Sequence, residues 1–479
     1  MNAGTLDEII TGKVTIVDAN KVLNEAAKEG KIVIPTPLIK TSDFFTKKTG
    51  ARNIYLKCET FQRTGSFKIR GAYYKLFKLR SQNPSCSEVT AASAGNHAQG
   101  VALSAQMLDL DATIFVPKNA PAFKLHAIGD YGATVIEVES LFDGIKQAKR
   151  RAKKQLGHED FFIHPFDDYD IIAGQGTIGL EIFEQIVAER LKENPEKKRE
   201  ELERSLKDEE FTVIVPVGGG GLIAGIAIAL KKVCKCKRVK IVGVQTTAVP
   251  SMAKARTKEA AIKKASTQKE QKGGRLSDEE FKKIVELSDD EFGFTIADGI
   301  KIRAIGRRTF EIYQNYVDDL VMVSDRQIAG AIYNLLVREK IVAEAAAAVS
   351  FAALLSVLEE QYVKGKNVIV VISGGNIDLN LLVWTLIQQH SRECYTFRIE
   401  GEVEDRPGML ADVCHIIAEN EGGIIQVHED RMRSELNPGK MFISIYVEAL
   451  GKREPAAISN DIRAALEEIH YDLKVTRLE

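Results

Sequence analysis

The chain has 479 residues, enough for about two to four domains. Hydrophobic residues make up 44% and charged residues 28%, and 66 Lys plus Arg balance 67 Asp plus Glu to a net charge of -1. That balance excludes the footprint of a dedicated nucleic-acid binder, and 12 prolines with 36 glycines exclude a fibrous or wholly disordered chain.

At the start, MNAGTLDEII holds acids and no basic run, so no secretory signal is expected. From about residue 30 to 390, short β-branched runs alternate with amphipathic helical patterns. In Thr64-Gly65-Ser66-Phe67-Lys68-Ile69-Arg70-Gly71, Ser66 reads as an N-cap, which puts Lys68 in the first turn of a helix. Ile69, Ala72, Tyr73 and Leu76 continue its buried stripe. A lysine at a helix start opposes the dipole, and Phe67 and Ile69 threaten its hydration. Both effects favour the neutral amine, the form a Schiff-base nucleophile needs. Taken alone, a surface lysine with a buried stem is the simpler reading.

Val89 to Ala92 reads as a strand, and Ala98, Val101, Ala102 and Ala105 as the buried face of a helix. Between them, Ser93, Ala94, Gly95, Asn96 and His97 form a small-residue turn into a helix N-terminus, an anion site or an ordinary βα turn. Thr113 to Val116 and Val135 to Val138 read as two further strands. Residues 189–210 hold 16 charged residues of 22 and lack a sustained apolar stripe, so a solvated helix extension is expected.

After the strand Thr212 to Val217 come Gly218, Gly219, Gly220 and Gly221, then an apolar helix. Consecutive glycines there let backbone N–H groups converge on a phosphate. The spacing matches neither GxGxxG nor GxxxxGK[ST]. Lys240 to Val244 reads as a strand, and 254–290 as a Lys- and Glu-rich surface insertion around Gly273 and Gly274. The apolar stretch 343–358, with its one Glu344, falls short of a bilayer span, so no membrane association is expected. Val368 to Ile372 is a strand apolar on both faces, which puts Ser373 at the carboxyl end of a parallel strand, where α/β sheets hold ligands. These elements make a layered α/β body with helices on both sheet faces.

Past about Ser391 the pattern changes. Strand, helix, strand, strand, helix and strand are predicted at 396–401, 409–420, 424–429, 441–448, 456–469 and 473–478, a βαββαβ order with two helices on one sheet face. Cysteines 58, 86, 234, 236, 394 and 414 form no zinc-like pairs and no disulfide framework, which points to a reducing, cytoplasmic compartment.

One lysine, one glycine cradle, one strand-end hydroxyl and one small anion loop suit a phosphorylated aldehyde better than a nucleotide. The strings SFKIRGA (66–72), SAGNHAQG (93–100), PVGGGGL (216–222) and SGGNID (373–378) resemble the fold-type II pyridoxal-phosphate enzymes, most nearly the threonine dehydratases (threonine ammonia-lyases). The resemblance covers roughly residues 15 to 390, and the tail resembles an ACT domain. It implies a two-lobed catalytic domain over 1–390, tryptophan synthase β-like with mainly parallel sheets, its smaller lobe at about 60–165. An α+β, ferredoxin-like ACT regulatory domain follows over 391–479.

The resemblance also implies residue roles. Lys68 carries pyridoxal 5'-phosphate as a Schiff base and, once freed by substrate, removes the Cα proton. Phe67 lies near the ring, Asn96 bonds the ring hydroxyl, Ser373 faces the pyridine nitrogen, and Gly218 to Gly221 hold the phosphate. Ser93, Ala94, Gly95, Asn96 and His97 take the substrate carboxylate. The implied reaction converts L-threonine to 2-oxobutanoate and ammonia, and L-serine to pyruvate.

An amino-acid effector is expected near Asp405, Arg406, Pro407, Gly408 and Met409, and the enzyme is expected to be a homo-dimer or tetramer. Ala94 stands where serine racemases of the group carry a second serine, which argues against racemisation. The stretch Gln245 to Pro250 lacks the carboxylate of the family's divalent-metal loop, so no metal is expected there. Two family glycines become Ala345 and Ala347, whose methyls are expected to narrow the pocket. The alternatives are a serine racemase or other β-replacing enzyme on the same fold, or a catalytically inactive amino-acid sensor.

Overall fold

The computed structural model describes residues 14–120, 122–154, 157–266, 277–393, 396–433, 435–450 and 453–477. Gly273, Gly274, Cys394 and Leu478 lie outside these residues. The chain divides into two compact units, Met1–Asp378 and Leu379–Glu479. The expected boundary at 390/391 differs from this division by the helix Leu379–Glu393, which groups with the second unit.

Among the described residues the first unit holds nine strands: β1 Leu38–Lys40, β2 Asn53–Cys58, β3 Glu88–Ala92, β4 Asp111–Pro117, β5 Thr134–Val138, β6 Phe211–Pro216, β7 Lys240–Thr246, β8 Asp319–Val323 and β9 Asn367–Ile372. They form a six-stranded sheet, β1-β2-β9-β6-β7-β8, and a three-stranded sheet, β3-β4-β5. Every pairing is parallel except β1 with β2. The last strand in sequence, β9, therefore lies in the middle of the large sheet. Its residues NVIVVI are buried throughout, as are those of β6, because helices cover both faces. Burial of each such Val or Ile contributes roughly 1.5–3 kcal/mol relative to exposure.

The charged stretches do bury apolar residues. The helix Arg199–Asp208 buries Leu202 and Leu206, and the helix Asp278–Val285 covers Phe281, Ile284 and Val285. Leucines four apart suffice for one buried stripe even among charges.

A ladder contact fixes the site's geometry. Ser66 bridges Gly374 antiparallel, and the Phe67 backbone N–H donates to Ser373 O at 3.0 Å. This pins the start of the helix Lys68–Gln82 to the carboxyl end of β9. Ser66 does not cap that helix: Phe67 is the N-cap, with no side-chain cap bond, and Ser66 Oγ is buried without a partner. The sheet-like bridge holds the Ser66 backbone in place of a cap.

The same helix is anchored from behind by a buried ionic cluster. Arg70 is fully buried and donates to Glu59 at 2.7 and 2.8 Å and to Glu181 at 3.0 Å, while Lys57 also pairs with Glu181. Glu181 belongs to the long helix Tyr169–Glu193, so the cluster ties that helix to β2 and to the segment after it.

The second unit adds β10 Thr396–Glu404, β11 Gly422–Asp430, β12 Lys440–Ala449 and β13 Lys474–Arg477, an antiparallel sheet in the order β11-β12-β10-β13. With the helices Met409–Glu419 and Pro455–Glu468 it follows a βαββαβ order. Ile399, Ile443, Ile445 and Val447 from the sheet meet Val413, Ile417, Ile458 and Ile462 from the helices in one core. No helix among the described residues is long and apolar enough to cross a membrane.

Candidate active site

Four chain segments leave the carboxyl ends of β2, β3, β6 and β9 and line one cavity of about 520 Å³, within the range of small-molecule sites. Lining it are Phe67, Lys68, the loop 93–97, the glycines 218–221 and Ser373. The residues singled out in the catalytic part of the sequence thus meet at one place. Those of the loop 405–409 lie in the other unit, between β10 and the helix Met409–Glu419. There Asp405 pairs with Arg431, Arg406 with Asp412 and the Tyr471 hydroxyl, Gly408 takes a φ of 94°, and Met409 is buried.

Lys68 is the first residue of its helix, and its Nζ donates to Pro165 O at 2.8 Å and lies 5.1 Å from the Phe67 ring. Burial pushes its pKa down to about 8, and the Glu344 carboxylate works against that fall. The neutral amine is therefore far easier to reach near physiological pH than at an ordinary lysine.

The glycine loop has Gly220 at a φ of 90° as N-cap of the helix Gly221–Ile228. A side chain at 219 would run into the Phe166 ring, since a Cβ there would lie 2.2 Å from its carbons. So the loop is glycine-rich partly because neighbouring residues pack onto it. The first N–H groups of the helix have no acceptor within it, and Gly221 and Leu222, which carry the first of them, line the cavity.

In the loop 93–97, Gly95 is the N-cap of the helix Asn96–Met107, and its N–H donates to Ser93 Oγ at 3.2 Å. The His97 ring is buried, with Nε2 2.9 Å from Ile163 O. A carbonyl only accepts, so Nε2 carries the proton, and burial lowers the ring's pKa to about 3. His97 is a neutral structural ring, and what it offers an anion is its backbone N–H.

Several site residues were not assigned from sequence. Glu344 is buried, lines the cavity, and accepts from Asn96 Nδ2 at 2.8 and 2.9 Å. Burial raises its pKa to about 7, against the Asn96 hydrogen bond that lowers it. Its signal was an acid placed directly before an alanine run. Asn376 donates to Asn96 Oδ1 at 2.8 Å, and Lys124 pairs with Asp298 at 2.6 Å on the cavity wall. A single lysine on a short helix gives no signal of its own.

Of the four alanines after Glu344, only Ala346 lines the cavity, so the methyls at Ala345 and Ala347 do not narrow it. Gln245 spends its amide on the helix that follows, accepting from Met252 N at 3.0 Å and Ala253 N at 3.1 Å. Among the described side chains, those of 254–259, 277 and 279–290 do not line the cavity.

A family model described as pyridoxal-phosphate dependent enzyme matches residues 31–374. The chain belongs to the pyridoxal-phosphate dependent enzymes. It is 39% identical to an L-threonine ammonia-lyase of Thermotoga maritima over 431 residues, covering 90% of this chain and 94% of that one. It is 36% identical to an L-threonine ammonia-lyase of Geobacter sulfurreducens, covering 86% and 88%. Among solved structures it resembles the processed form of threonine deaminase isoform 2 from Solanum lycopersicum, with a TM-score of 0.61, 30% identity and coverage of 79% and 87%. It also resembles maize serine racemase, with a TM-score of 0.59, 27% identity and coverage of 79% and 97%.

This pyridoxal-phosphate enzyme has a cavity whose own residues fit the cofactor. A desolvated amine suits the aldehyde, a glycine loop opening a helix suits the phosphate, and the Ser373 hydroxyl is compatible with a pyridine nitrogen.

Proposed function

We propose that the chain deaminates L-threonine to 2-oxobutanoate and ammonia, and L-serine to pyruvate, with Lys68 as the residue that binds the cofactor and moves the Cα proton. The observation that carries this reading is the half-buried Lys68 amine sharing one cavity with the glycine loop and Ser373. The relatives named L-threonine ammonia-lyase support it over most of the chain.

When bound, the cofactor supplies a conjugated ring and imine that draw electron density from the substrate Cα. The chain does the rest. N–H groups at the glycine loop hold the phosphate, and the loop 93–97 holds the substrate carboxylate. The freed Lys68 amine, with a pKa near 8, takes the Cα proton as a general base. Ser373 can share a hydrogen bond with the ring nitrogen but has no charge to keep it protonated, which favours prompt loss of the β-hydroxyl over a long-lived carbanion. Water leaves from Cβ and is regained in the hydrolysis that frees ammonia, so the net change is threonine to 2-oxobutanoate plus ammonia. Ala94, on the cavity wall, has no proton to deliver to the opposite face of Cα.

The test is an assay of the purified holoenzyme for 2-oxobutanoate from L-threonine, pyruvate from L-serine and D-serine from L-serine. Oxoacid release without D-serine is the expected result. D-serine as main product would indicate a racemase, and no product at all an inactive sensor.

We also infer that the catalytic domain extends to about residue 390 and that the remainder is an ACT-type module binding an amino-acid effector at the loop 405–409. The βαββαβ order supports this. So does the 431-residue match to an ammonia-lyase, which must run well past residue 378. We further infer a homo-oligomer in the cytoplasm. Exposed Leu379, Val383, Trp384 and Ile387 on one helix support the first part, and free thiols at Cys58, Cys86, Cys234, Cys236 and Cys414 the second.

A further inference from the structure

Glu344 occupies the N-cap of the helix Ala345–Ser356 yet makes no side-chain cap bond. Its backbone N–H donates to Gly374 O at 3.0 Å, and its carboxylate turns instead to Asn96. Asn376 Nδ2 donates both to Thr64 O and to Asn96 Oδ1, each at 2.8 Å. The Thr64 carbonyl only accepts, so it fixes which end of the Asn376 amide faces Asn96. Asn96 must then present oxygen to Asn376 and nitrogen to Glu344. The motif glycines make room for this chain of side chains. A Cβ at Gly65 would lie 2.4 Å from Asn376 Oδ1, and one at Gly374 would lie 2.7 Å from Glu344 Oε1.

One Asn96 hydrogen serves the carboxylate. The two N–H bonds of an amide diverge by about 120°, too wide for both to reach oxygens of one carboxylate, so the pair of contacts is a shared hydrogen. The second hydrogen remains for a ligand in the cavity that Asn96 lines.

We propose that Glu344 is a positioning residue: through the relay Thr64–Asn376–Asn96–Glu344 it holds the Asn96 amide with one N–H aimed at the bound cofactor's ring oxygen. This rests on the function proposed above and deepens it. The relay has one polarity only while Glu344 accepts. A protonated Glu344 keeps only its carbonyl oxygen as an acceptor and can turn its O–H toward Asn96, so its hold on the Asn96 N–H weakens, and turning Asn96 over would break its bond with Asn376. The charged groups facing Glu344 are Lys68, Lys124 and Asp298. The loop 93–97 adds no charge, since His97 is neutral and bonded to Ile163. Burial holds the Glu344 carboxyl near 7, so the relay titrates in the working range.

The test compares wild type, Glu344→Ala, Glu344→Gln, Asn96→Ala, Asn376→Ala and Glu344→Ala/Asn96→Ala as holoenzymes. Thermal melts first establish which fold. Glu344→Ala is expected to lower kcat about 10- to 100-fold, the scale of a lost hydrogen bond to a charged group. Glu344→Gln, which still offers an acceptor, recovers part of that loss. In wild type the visible absorption of the bound cofactor changes as pH falls through about 7, and in Glu344→Gln that change is absent. The double variant is no slower than Asn96→Ala alone, because both substitutions cut one relay. Asn376→Ala, acting from the far end, shows the same direction of effect.

A wild-type-like pH titration of the absorption in Glu344→Gln, or additive losses in the double variant, overturns the relay. Should Glu344→Ala fail to fold, the glutamine and asparagine variants decide alone. If wild type releases no oxoacid, the threonine reading falls while the absorption titrations still judge the relay.

Discussion

At Lys68 the fold holds an ammonium-forming group where burial opposes its charge. The pKa falls from 10.5 to about 8, so below pH 8 folded and unfolded chains both carry the proton and the penalty is complete, up to about 3 kcal/mol. Between pH 8 and 10.5 the folded chain has lost the proton while the unfolded chain still binds it, and the penalty fades. Cofactor-free Lys68→Met is therefore expected to be more stable than cofactor-free wild type at pH 7, with the gap closing toward pH 10. Urea unfolding of both proteins across that range measures it. A variant less stable than wild type, or a gap independent of pH, would contradict the burial account.

At the scale of elements, the helix Lys68–Gln82 is positioned from two sides, by the Ser66–Gly374 bridge in front and by Arg70 behind. Arg70→Met would leave Glu59 and Glu181 buried with only Lys57 to offset them, a loss of about 3–5 kcal/mol in urea unfolding. A loss under about 1 kcal/mol would mean the cluster does not anchor the helix.

Arg70 also shows how far the sequence could be read. The strands apolar on both faces were legible, because only a sheet covered by helices makes such runs stable. The four motifs were legible together, because each alone also reads as an ordinary turn or a surface lysine, while their order along the chain resembles one family. Two things were not. Ser66 has the chemistry of a cap, but β9 claims its backbone, and no local pattern shows a contact across about three hundred residues. Glu344 and Asn376 act on Asn96 only after the chain has folded, and neither position has a periodicity that marks it.

At the scale of the whole molecule, a catalytic unit is joined to a second unit with its own sheet and core. If that unit senses an amino acid, the coupling should be about 1–3 kcal/mol, a 5- to 150-fold change in half-saturation for threonine. Steady-state kinetics with isoleucine, valine, leucine and serine check this, and one of them is expected to shift the curve. Superimposable curves with all four would remove regulation by these amino acids.

The central claim is a covalent one, and borohydride tests it most directly. Reduction of the holoenzyme, followed by digestion and mass spectrometry, should find the pyridoxyl mark on the peptide carrying Lys68, and Lys68→Ala should take none. A mark on Lys57 or Lys124 instead, with Lys68 unmodified, would contradict the account.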